Sequence, residues 1–138
     1  MKVHLALATL TMMMMMMIST QQPVAADGQV FDKPLFLMVF DKTCHAWCEK
    51  VRPMVKELRD QYADQIDFGE LDITQEVLAV SKKEAKQLGV LELLPDFGDQ
   101  VPCCAVCAKK RTDIIKELAG PKTKVEYEKL VKLALSKK

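Results

Sequence analysis

The chain has almost no surplus charge of either sign: 20 lysines and arginines stand against 19 aspartates and glutamates, a formal net charge of +1. A protein that follows phosphates along DNA or RNA, or that coats an anionic membrane, carries a basic excess, and none is visible here. Long apolar runs are also missing. The longest, residues 5–18, is about fourteen residues and includes six consecutive methionines, against the ~20 that a membrane-spanning helix needs. Histidine is scarce, with only His4 and His45, which limits imidazole ligation. Five cysteines are too few, and too clustered, for the disulfide framework of a small secreted scaffold. No internal repeat is present, and the methionine run is the sole low-complexity tract.

What the first residues do contain is leader-like. Lys2 supplies a short positive region, residues 5–18 an apolar core, and Val24-Ala25-Ala26 a small-residue cleavage site, so residues 1–26 read as a signal peptide cut after Ala26. No cysteine stands at that cut, which leaves a lipoprotein anchor unsupported. The expectation is an exported, periplasmic or extracellular protein whose mature part, residues 27–138, forms one domain with no membrane span. Export puts all five cysteines in an oxidising compartment.

The elements of that domain alternate. Leu35-Phe36-Leu37-Met38-Val39-Phe40 is apolar on both faces, the pattern of a central strand. From His45 to about Tyr62, apolar residues at Val51, Met54, Val55 and Leu58 follow helical spacing, with Pro53 inside. Residues 66–73 read as a second strand and 74–88 as a helix, with Ser81 and Glu84 spaced as a capping box and Gly89 as its C-terminal stop. Pro95-Asp96-Phe97-Gly98-Asp99 marks residues 91–100 as a surface loop. Two strands follow, over 103–108 and 112–119. Gly120-Pro121 ends the second, and Thr123 with Glu126 opens a last helix whose inner face is Val125, Leu130, Val131, Leu133 and Ala134. The order is strand, helix, strand, helix, strand, strand, helix: an α/β domain.

The chemistry concentrates in Thr43-Cys44-His45-Ala46-Trp47-Cys48, where the first strand gives way to the first helix. A thiol at a helix N-terminus has its thiolate favoured, so Cys44 is the expected nucleophile, exposed at the mouth of the domain, and Cys48 its buried resolving partner. Four residues of helix rise ~6 Å, within the Cα separation a disulfide accepts. Two thiolates can equally share a soft ion at ~2.3 Å from each. His45 can tune a thiol, ligate metal or simply face solvent. Trp47 suits a rim residue that receives a partner's peptide. Cys103, Cys104 and Cys107 lie in one strand, in which Cys103 and Cys107 share a face ~13 Å apart and Cys104 points the other way. They read as buried thiols, with Cys103 expected to approach Cys44 and Cys48 as a further thiolate.

This arrangement resembles the thioredoxin superfamily. Besides the strand-end cysteine pair, Pro53 stands five positions after Cys48, Val101-Pro102 precedes the third strand, and Gly120 precedes the last helix. The resemblance implies a thioredoxin-like fold with a central mixed sheet flanked by helices, a cis bond at Pro102, and a substrate-binding edge formed by Trp47, Val101 and Pro102. It also implies thiol-disulfide oxidoreductase activity through Cys44 and Cys48 on protein thiols or disulfides, with no cofactor required. Two departures stand out: three residues, not two, separate the cysteines, and the first central strand lacks the acid that thioredoxins bury there. A Cys-x-x-x-Cys at this point is similar to the copper site of the SCO metallochaperones. That likeness implies an alternative in which Cys44 and Cys48, with His45 or Cys103, hold Cu(I) or Zn. A third possibility is an interaction module whose disulfide is purely structural.

Overall fold

The computed structural model describes residues 31–97 and 100–137. The leader assigned to residues 1–26 lies outside the described residues. Four strands form one mixed sheet: β1 (Leu35–Phe40), β2 (Asp67–Asp72), β3 (Cys103–Cys107) and β4 (Ile114–Ala119), in the spatial order β2-β1-β3-β4. β1 pairs in parallel with β2 and antiparallel with β3, and β3 pairs antiparallel with β4. Three helices complete it: α1 (His45–Tyr62), α2 (Leu78–Gln87) and α3 (Lys124–Ser136). The domain is single and α/β.

The alternation of side chains along a strand divides the core into two layers. Phe36 and Met38 of β1, with Cys104 and Val106 of β3, face α1 and α3, where Val51, Val55, Leu58, Tyr127, Leu130 and Val131 complete the packing. Leu35, Leu37 and Val39, with Cys103, Ala105 and Cys107, face the opposite way, against Leu71, Ala85, Val90, Leu93 and Phe97. Each fully buried Leu, Val or Phe contributes about 1.5–3 kcal/mol through removal from water. Apolar residues on both faces of β1 are thus the direct cause of its central position.

Several local expectations need correction. α2 begins at Leu78, not at residue 74, because the Thr74 backbone N–H donates to the Asp72 carboxylate (2.9 Å) and a turn occupies residues 75–77. Such local side-chain bonds compete with helix formation. Ser81 is no cap: it is buried within α2 and its hydroxyl donates to the Asp72 carbonyl (2.5 Å). The segment after Gly89 is more than a surface loop, since Leu91–Asp96 form a short 3-10 helix that drives Leu93 and Phe97 into the second layer. Val125 is 60% exposed, and the inner face of α3 starts instead at Tyr127. The Thr123/Glu126 capping box is present, with both reciprocal bonds made. Among the described residues, no helix is long and apolar enough to cross a membrane.

Candidate functional site

β1 ends at Phe40, and the chain turns immediately into α1 through a 3-10 turn at Lys42–Cys44. Asp41 builds that turn: its carboxylate accepts from the Thr43 backbone N–H (2.7 Å) and hydroxyl (2.5 Å), and its carbonyl accepts from the Cys44 N–H (3.2 Å). From the other side, the Lys42 N–H donates to the Thr74 hydroxyl (2.9 Å), and the Lys42 ammonium pairs with Glu76. The loop that carries Cys44 is therefore held by its own aspartate and by the segment after β2.

Cys44 and Cys48 are joined by a disulfide, with Cα atoms 5.7 Å apart, inside the range such a bond accepts. Both residues are 3% exposed and pack into the α1/α3 layer. The expectation that Cys44 faces solvent is therefore corrected: the 3-10 turn swings it inward to meet Cys48. Cys44 is also the N-cap of α1, yet its side chain makes no capping hydrogen bond. Beside the bridge lies a cleft of about 130 Å³ lined by Phe40, Asp41, Lys42, His45, Cys48, Arg52 and Asp72. Arg52 covers the Phe40 ring, its guanidinium carbon 4.4 Å from the centroid, and its Nε lies 4.0 Å from Glu70.

Of the other candidates, Trp47 is half-exposed, with the Lys50 ammonium 5.0 Å from its ring. His45 is exposed and its Nδ1 sits 3.5 Å from Glu49, so it borders the cleft but turns toward the helix surface. The Val101–Pro102 bond is cis. Val101 packs against the same layer as the disulfide, and the Pro102 carbonyl accepts from the Gly120 N–H (2.7 Å). Cys103 is the clear misplacement. Strand alternation sends it to the α2 layer, on the opposite face of the sheet from Cys44 and Cys48, and it is Cys104 that shares their layer.

Burial pushes the Cys103 thiol up to about 12, with the Glu117 carboxylate, 3.8 Å from its sulfur, adding to the effect. Cys107 rises to about 11 and Cys104 further still, both chiefly through burial. Thiols of this kind remain protonated at neutral pH and are poor nucleophiles and poor ligands. The buried polar or charged side chains among the described residues are Thr74, Ser81 and Arg111. No described carboxylate is buried beneath the bridge.

Sequence reasoning missed Arg52, Phe40 and Asp72. Arg52 was within reach, because it follows Cys48 by four positions and shares its helix face. Asp72 was not, since only the parallel pairing of Phe40 with Asp72 brings it to the cleft. No protein-family model matches the chain, and no curated protein matches it either.

Proposed function

We propose that this is an exported, thioredoxin-like thiol-disulfide oxidoreductase that exchanges electrons with protein thiols or disulfides through the Cys44–Cys48 pair. The observation that carries the reading is the bridge itself, closed at the junction of the central strand and the N-terminus of α1, beside a cleft lined by one of its residues. A helix N-terminus stabilises the thiolate that reduction releases. The strand order β2-β1-β3-β4 and the proline loop before β3 support the thioredoxin-like assignment. The chemistry draws on two sulfurs and a proton donor from solvent, and no cofactor enters it.

Burial of both sulfurs favours a second reading, an interaction module with a structural bridge. Equilibration of the oxidised protein with glutathione at defined ratios separates the two. An exchange protein opens within the range of known oxidoreductases, about −120 to −270 mV, whereas an inert bridge stays closed below about −300 mV. Insulin-disulfide reduction by the reduced protein supplies the companion assay. Failure in both, together with stoichiometric Cu(I) capture by the reduced pair, would replace exchange with metal carriage.

A further inference from the structure

The two sulfurs of the bridge have different surroundings, although both residues are equally buried. The cleft beside the bridge has Phe40, His45, Arg52, Asp72 and Cys48 among its lining residues, and Cys44 is not one of them. Cys48 lies in the first turn of α1 and Arg52 in the next turn on the same face. A reagent that enters this cleft therefore meets the Cys48 side of the bridge. Cys44 has the complementary property. It is the N-cap residue, and its side chain makes no capping bond while the bridge is closed. The backbone N–H groups of the first helical turn have no intrahelical acceptor. An anionic sulfur at the N-cap supplies one, at the positive end of the helix dipole. Thiol-disulfide exchange runs fastest when the accessible sulfur is attacked and the sulfur that leaves is the better-stabilised thiolate.

We infer that an incoming thiolate attacks Sγ of Cys48 and expels Cys44. The inference rests on the exchange reading above and reverses the order of roles that a helix-N-terminal Cys44 suggests. In the first step the attacking thiolate forms a disulfide with Cys48. The Cys44–Cys48 bond breaks, and its electron pair stays on Cys44 as the thiolate. A second thiolate then attacks the outer sulfur of the mixed disulfide, which releases the oxidised pair of thiols and leaves Cys48 as a thiolate that takes a proton from water. Two thiols are oxidised to one disulfide, and the protein gains two electrons. In the reverse direction Cys48 attacks the substrate disulfide and Cys44 resolves the intermediate.

The test uses the oxidised full chain without substitution. Glutathione is added, the reaction is quenched within seconds by excess iodoacetamide, and the peptide Thr43-Cys44-His45-Ala46-Trp47-Cys48-Glu49-Lys50 is sequenced by tandem mass spectrometry. The expected product carries glutathione on Cys48 and the alkyl group on Cys44, in about tenfold excess over the reverse isomer. An even split, or an excess of glutathione on Cys44, overturns the inference and leaves exchange itself intact. A bridge that yields no mixed disulfide at any glutathione concentration overturns the exchange reading and this inference with it.

Discussion

Reduction of the Cys44–Cys48 bridge should cost the domain at most about 2 kcal/mol of stability, and the size of that cost separates an exchange site from a brace. The bridge closes a loop with a sequence separation of only 4, for which the chain-entropy relation gives about 2 kcal/mol of stabilisation through the unfolded state. Against this stands the gain on reduction, when the Cys44 sulfur becomes free to act as an N-cap acceptor, a contribution of about 0.5–2 kcal/mol. The difference leaves the oxidised form ahead by roughly 0–1.5 kcal/mol at neutral pH. By linkage, the potential of the native pair then lies within about 30 mV of that of the same pair in the unfolded chain, since 1.4 kcal/mol corresponds to about 30 mV. Urea unfolding of the oxidised and reduced proteins, followed by far-UV circular dichroism, measures the first quantity, and glutathione equilibria with and without urea measure the second. A reduced form less stable by about 4 kcal/mol or more would refute the reasoning, because a loop this short cannot supply that much through chain entropy.

Arg111 and Asp67 should respond unequally to truncation. The Arg111 side chain is 2% exposed and its partner 42%, so Arg111→Met strands a carboxylate that water can reach and removes the donor to the Leu88 carbonyl, for about 1–2 kcal/mol. Asp67→Ala strands a buried cation and should cost about 3 kcal/mol, and the reverse ranking in urea melts would show that the carbonyls alone hold the guanidinium. Gly89 and Gly120 both adopt positive φ, at 72° and 73°, but a Cβ on Gly89 would strike the Phe31 ring whereas one on Gly120 meets no described atom within 4 Å. Gly120→Ala should therefore cost about 1 kcal/mol and Gly89→Ala at least twice that, with equal losses counting against the steric argument. Alkaline pH should destabilise the fold. Burial holds Cys107 protonated up to about 11, while the unfolded thiol ionises near 8.5, so the unfolded state releases its proton first and stability falls as pH rises between them. Cys107→Ala should flatten the slope of unfolding free energy against pH in that window by up to about 1.4 kcal/mol per unit, and an unchanged slope would exclude this thiol as a source.

Much of the architecture was legible because it depends on patterns that a sequence displays directly. The unbroken apolar run at 35–40 can only be a strand buried on both faces, and the Thr123/Glu126 spacing marks the start of α3 to the residue. The junction at Cys44 was equally plain, since an apolar run ends and helical spacing begins within five residues. Illegible features were those decided by a partner elsewhere in the chain. Ser81 looks like a cap until β2 supplies the Asp72 carbonyl for its hydroxyl. Cys103 looks like a neighbour of the cysteine pair because it directly follows Val101-Pro102, and only the pleat assigns it to the other face. The inward turn of Cys44 depends on Asp41 and Thr74 acting together from two loops.

The molecule thus divides its tasks between the two ends of β1. At the far end the Arg111 side chain is held by the Leu88 carbonyl (2.6 Å), the Lys33 carbonyl (3.4 Å) and Asp67, and is covered by the Phe31 ring, 3.6 Å from its guanidinium carbon. These contacts join the segment before β1, the start of β2, the end of α2 and the β3–β4 turn into one closed anchor. At the near end, Asp41 and Thr74 fix the turn that carries Cys44. A six-residue strand separates the two, about 20 Å, which is beyond the distance at which substitutions usually couple. Asp67→Ala should therefore lower the urea midpoint while the rate at which glutathione opens the bridge in the folded protein stays within about twofold of the unsubstituted chain. A rate that rose in proportion to the lost stability would mean that the bridge opens only through global unfolding, and neither the cleft nor the cap position of Cys44 would then have any part in its chemistry.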